Sequence, residues 1–184
     1  MATIDSTDDA LLARARGAYE RGRLVYGMHA LWLAAPMIAL SLTMAPERGL
    51  SFGAGGLLVA LAVGLRYRGG AMGRAVIPAL LAGLPPLLMP LLMRAGGHCC
   101  IAGACWPVCM IGCIVGGASA GLMIGFSSVL EREGRGSFLI AATTIAGLSG
   151  VLGCAIVGAA GMAGMLLAVI AASWPVAMLS RARS

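Results

Sequence analysis

A short stretch of the sequence holds five of the six cysteines and one of the two histidines. Thiolates and imidazoles bind soft metal ions such as zinc, copper and mercury, whereas in an oxidising compartment the same thiols pair as disulfides. The spacing matches no recognised structural-zinc motif. We expect either a metal site or, equally, a disulfide at four residues that we name the outer cluster: His98, Cys99, Cys100 and Cys105. In the disulfide alternative, Cys99 or Cys100 pairs with Cys105 or Cys109.

The cysteines continue into a ridge of small residues. Cys109 and Cys113 are followed, always four residues further on, by Gly117, Gly121 and Gly125. Residues four apart share one face of a helix, and a face of small residues lets two membrane helices approach closely. Because buried cysteine behaves as a small hydrophobic residue, Cys109 and Cys113 are interpreted as packing residues, with redox or metal chemistry as the alternative.

A second ridge lies in the next apolar run and consists of Ala146, Gly150, Cys154 and Gly158. The two runs are joined near Gly134, which predicts an antiparallel pair of helices. Residues at equal distances from the turn then lie at equal depth, so we expect Cys113 beside Cys154. By the same rule Cys109 lies beside Gly158. We therefore predict that the two ridges touch, and such ridges also offer a surface for oligomer formation.

The elements that position these residues are membrane-spanning helices. Of the 184 residues, 60% are hydrophobic and 11% are charged, with a mean hydropathy of +0.94, whereas about a quarter of a soluble domain is charged. A helix needs about 20 apolar residues to cross the hydrocarbon core. The runs that meet this need are Leu24–Met44, Leu50–Arg66, Ala75–Met93, Pro107–Leu130, Phe138–Val157 and Met162–Leu179. We predict an all-α polytopic membrane bundle of about six transmembrane helices in residues 24–180, surrounded by lipid.

The arginines orient these spans. All 13 basic residues are arginine, and eleven of them fall in the N-terminal segment, after the second and fourth spans, or at the C-terminus. Basic residues are in excess in cytoplasmic loops, so both termini, including the tail 181–184, are predicted to be cytoplasmic and the outer cluster to face outward. Only Arg48 and Arg94 fall on the outer side. The lack of Lys, Asn and Gln is typical of a GC-rich bacterial genome, which indicates a bacterial inner membrane.

The N-terminal segment, residues 1–23, is predicted to be a short amphipathic cytoplasmic helix. Its apolar stripe at helical spacing, named the docking face below, consists of Leu11, Leu12, Ala15 and Tyr19. Arginines crowd its membrane-proximal end, where anionic lipid attracts them. The helix therefore lies on the inner leaflet or binds a cytosolic partner through its docking face. The two alternatives are compatible, because a partner can lift the helix off the lipid.

Two further features lie inside the predicted spans. His29 falls early in the first span, where an imidazole needs a hydrogen-bond partner, and we expect that partner on a neighbouring helix. The third span contains Pro78, Pro85, Pro86 and Pro90. Each interior proline removes a backbone hydrogen bond, so this span is predicted to be kinked.

Several function classes have no support in the sequence. There is no phosphate-binding GxxxxGK[ST] loop, no HExxH motif and no dinucleotide glycine fingerprint, and we expect no enzymatic activity. The arginines are scattered through short loops without interleaved aromatic residues, so direct nucleic-acid binding is not expected. Glu131 and Glu133 alternate with Arg132 and Arg135 between spans four and five. We interpret them as a solvated, self-neutralising turn.

The layout of Asp5–Arg23 followed by six spans resembles that of the small polytopic anti-sigma factors of Gram-negative bacteria, of the negative-regulator-of-sigma-F type. The His98-Cys99 pair at the outer surface adds to the likeness, although in that family such a pair is expected before the last span. The resemblance implies that the N-terminal segment binds an extracytoplasmic-function sigma factor. It also implies that the spans and outer cysteines sense an envelope stress and release that factor.

The vicinal pair Cys99-Cys100 is also similar to the pair of small mercuric-ion uptake proteins, which usually carry it in their first span. Three hypotheses follow from the sequence. The leading one is a regulatory or sensory inner-membrane protein, driven by the outer cluster and acting through the docking face. The second is transport or binding of a soft metal ion along the cysteines of span four. The third is a structural accessory subunit of a membrane complex.

Overall fold

A computed structural model describes residues 5–44, 48–96, 106–131, 133–155 and 157–181. These residues form helices throughout and include no strand. The helices are α1 (Asp5–Met28), α2 (Leu31–Met44), α3 (Arg48–Arg68), α4 (Gly70–Ala82), α5 (Leu84–Ala95), α6 (Trp106–Val129), α7 (Arg135–Cys154) and α8 (Ala159–Arg181). Six helical segments are long and apolar enough to cross a membrane. The predicted all-α polytopic bundle is confirmed.

The first span is divided. Helix α1 runs without a break from the N-terminal segment into the first half of the span, and α2 begins after a short turn at His29 and Ala30. The turn is closed by backbone bonds of three-residue spacing, such as Ala30 N–H to the Gly27 carbonyl at 3.2 Å. The predicted N-terminal helix and the start of span one are therefore one rigid element.

The third span is divided as well, at Gly83 between α4 and α5. Pro85 and Pro86 occupy the first turn of α5, where backbone N–H groups have no partner within the helix and a proline costs little. Gly83 is required by packing, because a Cβ there would lie 2.5 Å from the Cβ of Ser149 on α7. The kink predicted from the prolines is confirmed as a break in the helix.

Helix α7 is the most enclosed span of the bundle, with α3, α4 and α5 packed against it. Helix α6 makes its most extensive contact with α8, and α1 and α2 lie on α3. The buried hydroxyl of Ser41 on α2 donates a hydrogen bond to the Leu152 carbonyl of α7 at 2.9 Å. This bond ties the peripheral α2 to the central helix.

One end of the bundle collects arginine side chains. Arg74 at the start of α4 forms an ion pair with Glu131 after α6, and Arg135 Nε donates to the Ser128 carbonyl at 2.9 Å. Arg23 of α1 donates to the Arg68 carbonyl at the end of α3 at 2.8 Å. These contacts join the exit of α1 to the end of α3, and the start of α4 to the end of α6. Arg23, Arg74 and Arg135, which are expected on one side of a membrane, therefore lie at a common end of the bundle.

Candidate functional site

The docking face lies on the part of α1 that extends away from the bundle. Leu11, Leu12 and Tyr19 are 61%, 56% and 66% exposed, and Ala15 is also exposed. Apart from the half-buried Gly17, every side chain from residue 11 to residue 22 is exposed. The structure thus places all four predicted residues on one unoccupied stretch of helix.

The bundle holds α1 at its C-terminal end. A Cβ on Gly27 would lie 3.5 Å from the Val63 carbonyl of α3, and Arg66 Nε donates to the Tyr26 carbonyl at 2.9 Å. The Arg66 guanidinium also lies over the Tyr26 ring, 3.9 Å from its centroid. Each of these contacts joins the last turns of α1 to the last turns of α3, so the two helices are antiparallel.

Arg23 forms the outermost link between the two helices. Its guanidinium hydrogen-bonds the Tyr67 and Arg68 carbonyls of α3, which are orphan acceptors at a helix end. It also lies 5.0 Å from the Tyr67 ring centroid and 5.6 Å from that of Tyr19. One cation therefore fixes the exit of α1 from the bundle and contacts one member of the docking face.

His29 has its hydrogen-bond partner within α1, and the expectation of a partner on a neighbouring helix was wrong. Its Nδ1 lies 2.8 Å from the Val25 carbonyl, one of the acceptors that the end of α1 leaves without an intrahelical donor. An open depression of about 730 Å³ lies beside this turn, with Trp32 83% exposed next to it. The imidazole stabilises the break between α1 and α2.

Cys113 and Cys154 lie together, as their equal distance from the turn predicts. Their side chains are neighbours across α6 and α7. Both are free and fully buried. The Cys154 thiol also donates to the Pro86 carbonyl of α5 at 3.9 Å. The pair is therefore a buried dithiol at a junction of helices.

Cys109 is disulfide-bonded, so it is not simply the small packing residue that its spacing suggested. The outer cluster of His98, Cys99, Cys100 and Cys105 lies outside the described residues, and its metal and disulfide alternatives stay predictions. Among the residues that are described, no three His, Cys, Asp or Glu side chains gather as a metal site would require.

The glycines of the α6 ridge pack on α8, and the prediction that they face the ridge of α7 was wrong. The predicted contact between the two ridges is present only at Cys113 and Cys154. A Cβ on Gly117 would lie 2.5 Å from the Met165 carbonyl, and one on Gly121 would lie 2.4 Å from the Val169 carbonyl. A Cβ on Gly125 would lie 2.8 Å from the Cβ of Val176. The register advances in the same direction on both helices, so α6 and α8 are parallel and their backbones touch over three turns.

Pro86 explains why the two predicted ridges meet only at Cys113 and Cys154. Its Cα would lie 2.6 Å from a Cβ on Gly116 of α6, and its carbonyl oxygen 2.7 Å from a Cβ on Gly153 of α7. The start of α5 is thus wedged between α6 and α7 below the dithiol.

The ridge of α7 has other neighbours. Gly150 receives the side chain of Met165 from α8, and Ala146 is fully buried. Among the described residues nothing lies within 4 Å of a Cβ placed on Gly158, so its predicted contact with Cys109 is absent. Counting residues from the turn gave the correct depth of each residue in the bundle. It did not determine which neighbouring helix each face packs against.

The interpretation of the segment between α6 and α7 as a solvated, self-neutralising turn was wrong for Glu131 and Arg135. Glu131 is only 13% exposed and accepts hydrogen bonds from Arg74, one of them from Nε at 3.1 Å. Arg135 Nε donates to the Ser128 carbonyl and thereby caps the end of α6. The pairing of Arg74 with Glu131 spans 57 residues, and no local pattern indicates it.

A sequence match to the hydrolase GxSxG pattern at residues 117–121 has a structural explanation. That motif places its serine at a sharp turn between a strand and a helix, whereas Ser119 lies in the middle of α6. Its hydroxyl donates to the Gly116 carbonyl of its own helix at 2.8 Å. Ser119 therefore does not lie at the strand-to-helix turn on which that motif depends.

No family model matches the chain, and neither a curated protein nor a solved structure is significantly similar to it. The site residues described above are therefore assigned by geometry alone.

Proposed function

We propose that this multi-pass membrane protein is a regulatory protein of the bacterial inner membrane that binds a cytosolic partner through the docking face of α1. The observation that carries the proposal is the exposure of Leu11, Leu12 and Tyr19 on a helix that the bundle holds only at its far end. Apolar side chains of this size in a contiguous exposed stripe mark an interaction surface more often than a free one.

The geometry favours a helix that extends into the cytosol over one that lies flat on lipid. Helix α1 is continuous to Met28 and leaves the bundle along α3, which is itself a candidate span. At a rise of 1.5 Å per residue, residues 5–22 reach about 27 Å beyond the link at Arg23. A partner with an apolar groove has access to the docking face on such a helix.

The orientation supports a cytosolic location for this helix. The arginines at the α1 exit, at the end of α3 and at the start of α4 lie at one end of the bundle, and the positive-inside rule assigns that end to the cytoplasm. The C-terminal end of α8 lies at the same end of the bundle, because α8 is parallel to α6. Both termini are then cytoplasmic.

The resemblance to polytopic anti-sigma factors names the partner class. An extracytoplasmic-function sigma factor would be held inactive by α1 and released when the bundle changes state. In this proposal the stress signal acts on the outer cluster. Cys109 follows that cluster in the sequence and lies on α6. In this proposal, oxidation or metal binding at that end alters α6 and, through the parallel α6–α8 pair, the cytoplasmic end of the bundle.

The two alternatives have less support. A soft-metal carrier needs ligands that continue toward the inner side, whereas Gly117, Gly121 and Gly125 lie directly on the backbone of α8 and leave no path. A structural accessory subunit would pack through exposed apolar surface on the spans, such as Phe126 and Ile140. That surface is equally suited to lipid.

Affinity purification of the full-length protein from its native host tests the proposal. Leu12→Ser with Tyr19→Ser removes two apolar anchors from the docking face. The matched control, Ala13→Ser with Glu20→Gln, alters the opposite face of the same helix. Burial of one such anchor contributes about 1.5–3 kcal/mol, so each loss weakens binding by tenfold or more.

We expect a stoichiometric cytosolic protein with the wild type and the control, and its loss with the docking-face variant. A sigma factor in that position supports the family resemblance. Equal recovery of every cytosolic protein from all three preparations contradicts the proposal.

A further inference from the structure

Cys113, Cys154 and Met165 place three sulfur atoms on the facing sides of α6, α7 and α8. The side chains of Cys113 and Cys154 are neighbours across α6 and α7, and Cys113 Sγ lies 3.5 Å from the position of a Cβ on Gly161 of α8. The thioether of Met165, one turn further along α8, lies 2.7 Å from the position of a Cβ on Gly150 of α7. All three sulfur-bearing residues are fully buried.

Helix geometry places the thioether about one helical turn from the dithiol. Gly150 is one turn before Cys154 on α7, and residues four apart have Cβ positions about 5–6 Å from each other. Side chains lean toward the N-terminus of their own helix, so Cys154 leans toward Gly150 and Met165 leans toward Gly161. The three sulfurs thus come from three different helices, and the side chains of Cys154 and Met165 both lean toward the space between the two levels.

The donor set is soft and the surroundings are apolar. The dithiol has one hydrogen bond to a hard atom, from Cys154 to the Pro86 carbonyl at 3.9 Å. No carboxylate or imidazole completes a larger cluster among the described residues. Three ligands are too few for an ion such as zinc, which requires four in a tetrahedron. Thiolate and thioether sulfurs instead select a soft monovalent ion such as Cu(I).

We propose that Cys113, Cys154 and Met165 form a membrane-embedded binding site for a soft monovalent cation, Cu(I) or its analogue Ag(I). One thiol gives up its proton to solvent as the metal–thiolate bond forms. The second thiol and the thioether donate lone pairs as neutral ligands, and no atom changes oxidation state. The bound site is therefore neutral, which avoids the large cost of burying a net charge.

Occupation of this site would join α6, α7 and α8 through metal–sulfur bonds. With metal–sulfur bonds of about 2.3 Å, the sulfurs need to approach within roughly 4 Å of one another. Small side-chain rotations supply this change, because the methionine side chain has three rotatable bonds. The inference does not rest on the docking of α1, and either proposal can fail alone.

Silver binding to the purified full-length protein in detergent tests the site. An impermeant maleimide first blocks the accessible thiols, which leaves the buried dithiol intact. The protein is then equilibrated with Ag(I) against excess glutathione, and retained metal is measured after gel filtration. We expect stoichiometric Ag(I) with the wild type and at least a roughly tenfold loss of affinity, about 1.4 kcal/mol, for Cys154→Ser.

Methionine variants separate metal binding from folding. Met165→Leu keeps the side-chain volume, and such swaps usually cost under about 1.5 kcal/mol of stability. Its matched control is Met178→Leu, at an exposed position further along α8. We expect weaker Ag(I) retention for Met165→Leu only, with unfolding transitions close to that of the wild type.

X-ray absorption at the silver edge provides a measurement on the unaltered protein. We expect sulfur neighbours alone, numbering two or three. Oxygen or nitrogen neighbours overturn the proposal. So does the absence of retained silver from the thiol-blocked wild type, or equal retention by wild type and Cys154→Ser.

Discussion

Substitution of Gly121 by alanine places one methyl group between two helices whose backbones already touch. The new Cβ would lie 2.4 Å from the Val169 carbonyl oxygen, 2.8 Å from the Ala172 Cβ and 3.1 Å from the Ser173 backbone nitrogen. Two of these neighbours are backbone atoms of α8. Neither can rotate away as a flexible side chain would.

The magnitude follows from the displacement that this contact requires. A carbon and a carbonyl oxygen in ordinary close contact are about 3.3 Å apart, so α8 has to move by about 0.9 Å along the line from Gly121. Overpacking of a well-packed core costs about 1–3 kcal/mol. Because the displacement also loosens the contacts at Gly117 and Gly125, we expect a loss near the upper end of that range.

The control is Gly56→Ala on α3, where no atom lies within 4 Å of the new methyl group. Alanine in a helix interior is more favourable than glycine by about 0.5–1 kcal/mol, so this variant should equal or exceed the wild type in stability. Both are measured by titration of the purified protein with SDS in mixed micelles, followed by circular dichroism. If Gly121→Ala unfolds at the wild-type SDS fraction, the close parallel contact of α6 and α8 is refuted.

Other elements of the bundle give further expectations. Gly134 has φ of +73° and a Cβ there would lie 2.8 Å from the Cβ of Ala71, whereas Gly158 has φ of +91° with open space around it. Alanine at either position incurs about 1–2 kcal/mol of backbone strain. Because only the new methyl group at Gly134 also meets Ala71, the same SDS titration should show the larger loss of stability for Gly134→Ala. Equal losses for the two variants would contradict the contact with Ala71. Ser41→Ala removes the hydrogen bond to the Leu152 carbonyl and should cost about 1 kcal/mol in that titration, and an unchanged midpoint would contradict a role in holding α2. Glu131→Gln removes the charge pairing with Arg74 and should lower the thermal transition more at low than at high salt, since exposed charges are screened; a loss independent of salt would point to packing instead.

The sequence predicted the spans because they follow from a single physical quantity, the length of each apolar run. The proximity of Cys113 and Cys154 was also predictable, since a short turn makes depth in the membrane a matter of counting residues. Small residues four apart likewise identified a face for close approach. Each of these inferences needs one helix, or two helices joined by a short loop.

The contacts that could not be predicted depend on a helix outside the pair that a short loop joins. The glycine ridge of α6 is as suitable for α8 as for α7, and the choice is made by Pro86, which occupies the space between α6 and α7. The ion pair of Arg74 with Glu131 requires the start of α4 to meet the end of α6. Periodicity along one segment carries no information on such meetings between distant segments.

The central claim is that the docking face of α1 is available on the cytosolic side and binds a protein there. The most direct measurement places a photo-reactive amino acid at Leu12 or, as a control on the opposite face, at Ala13, in the full-length protein in living cells of its native host. The account predicts a cross-link to one cytosolic protein from position 12 and a much weaker one from position 13. Cross-links to lipid alone from both positions, or equal protein cross-links from the two faces, would contradict it.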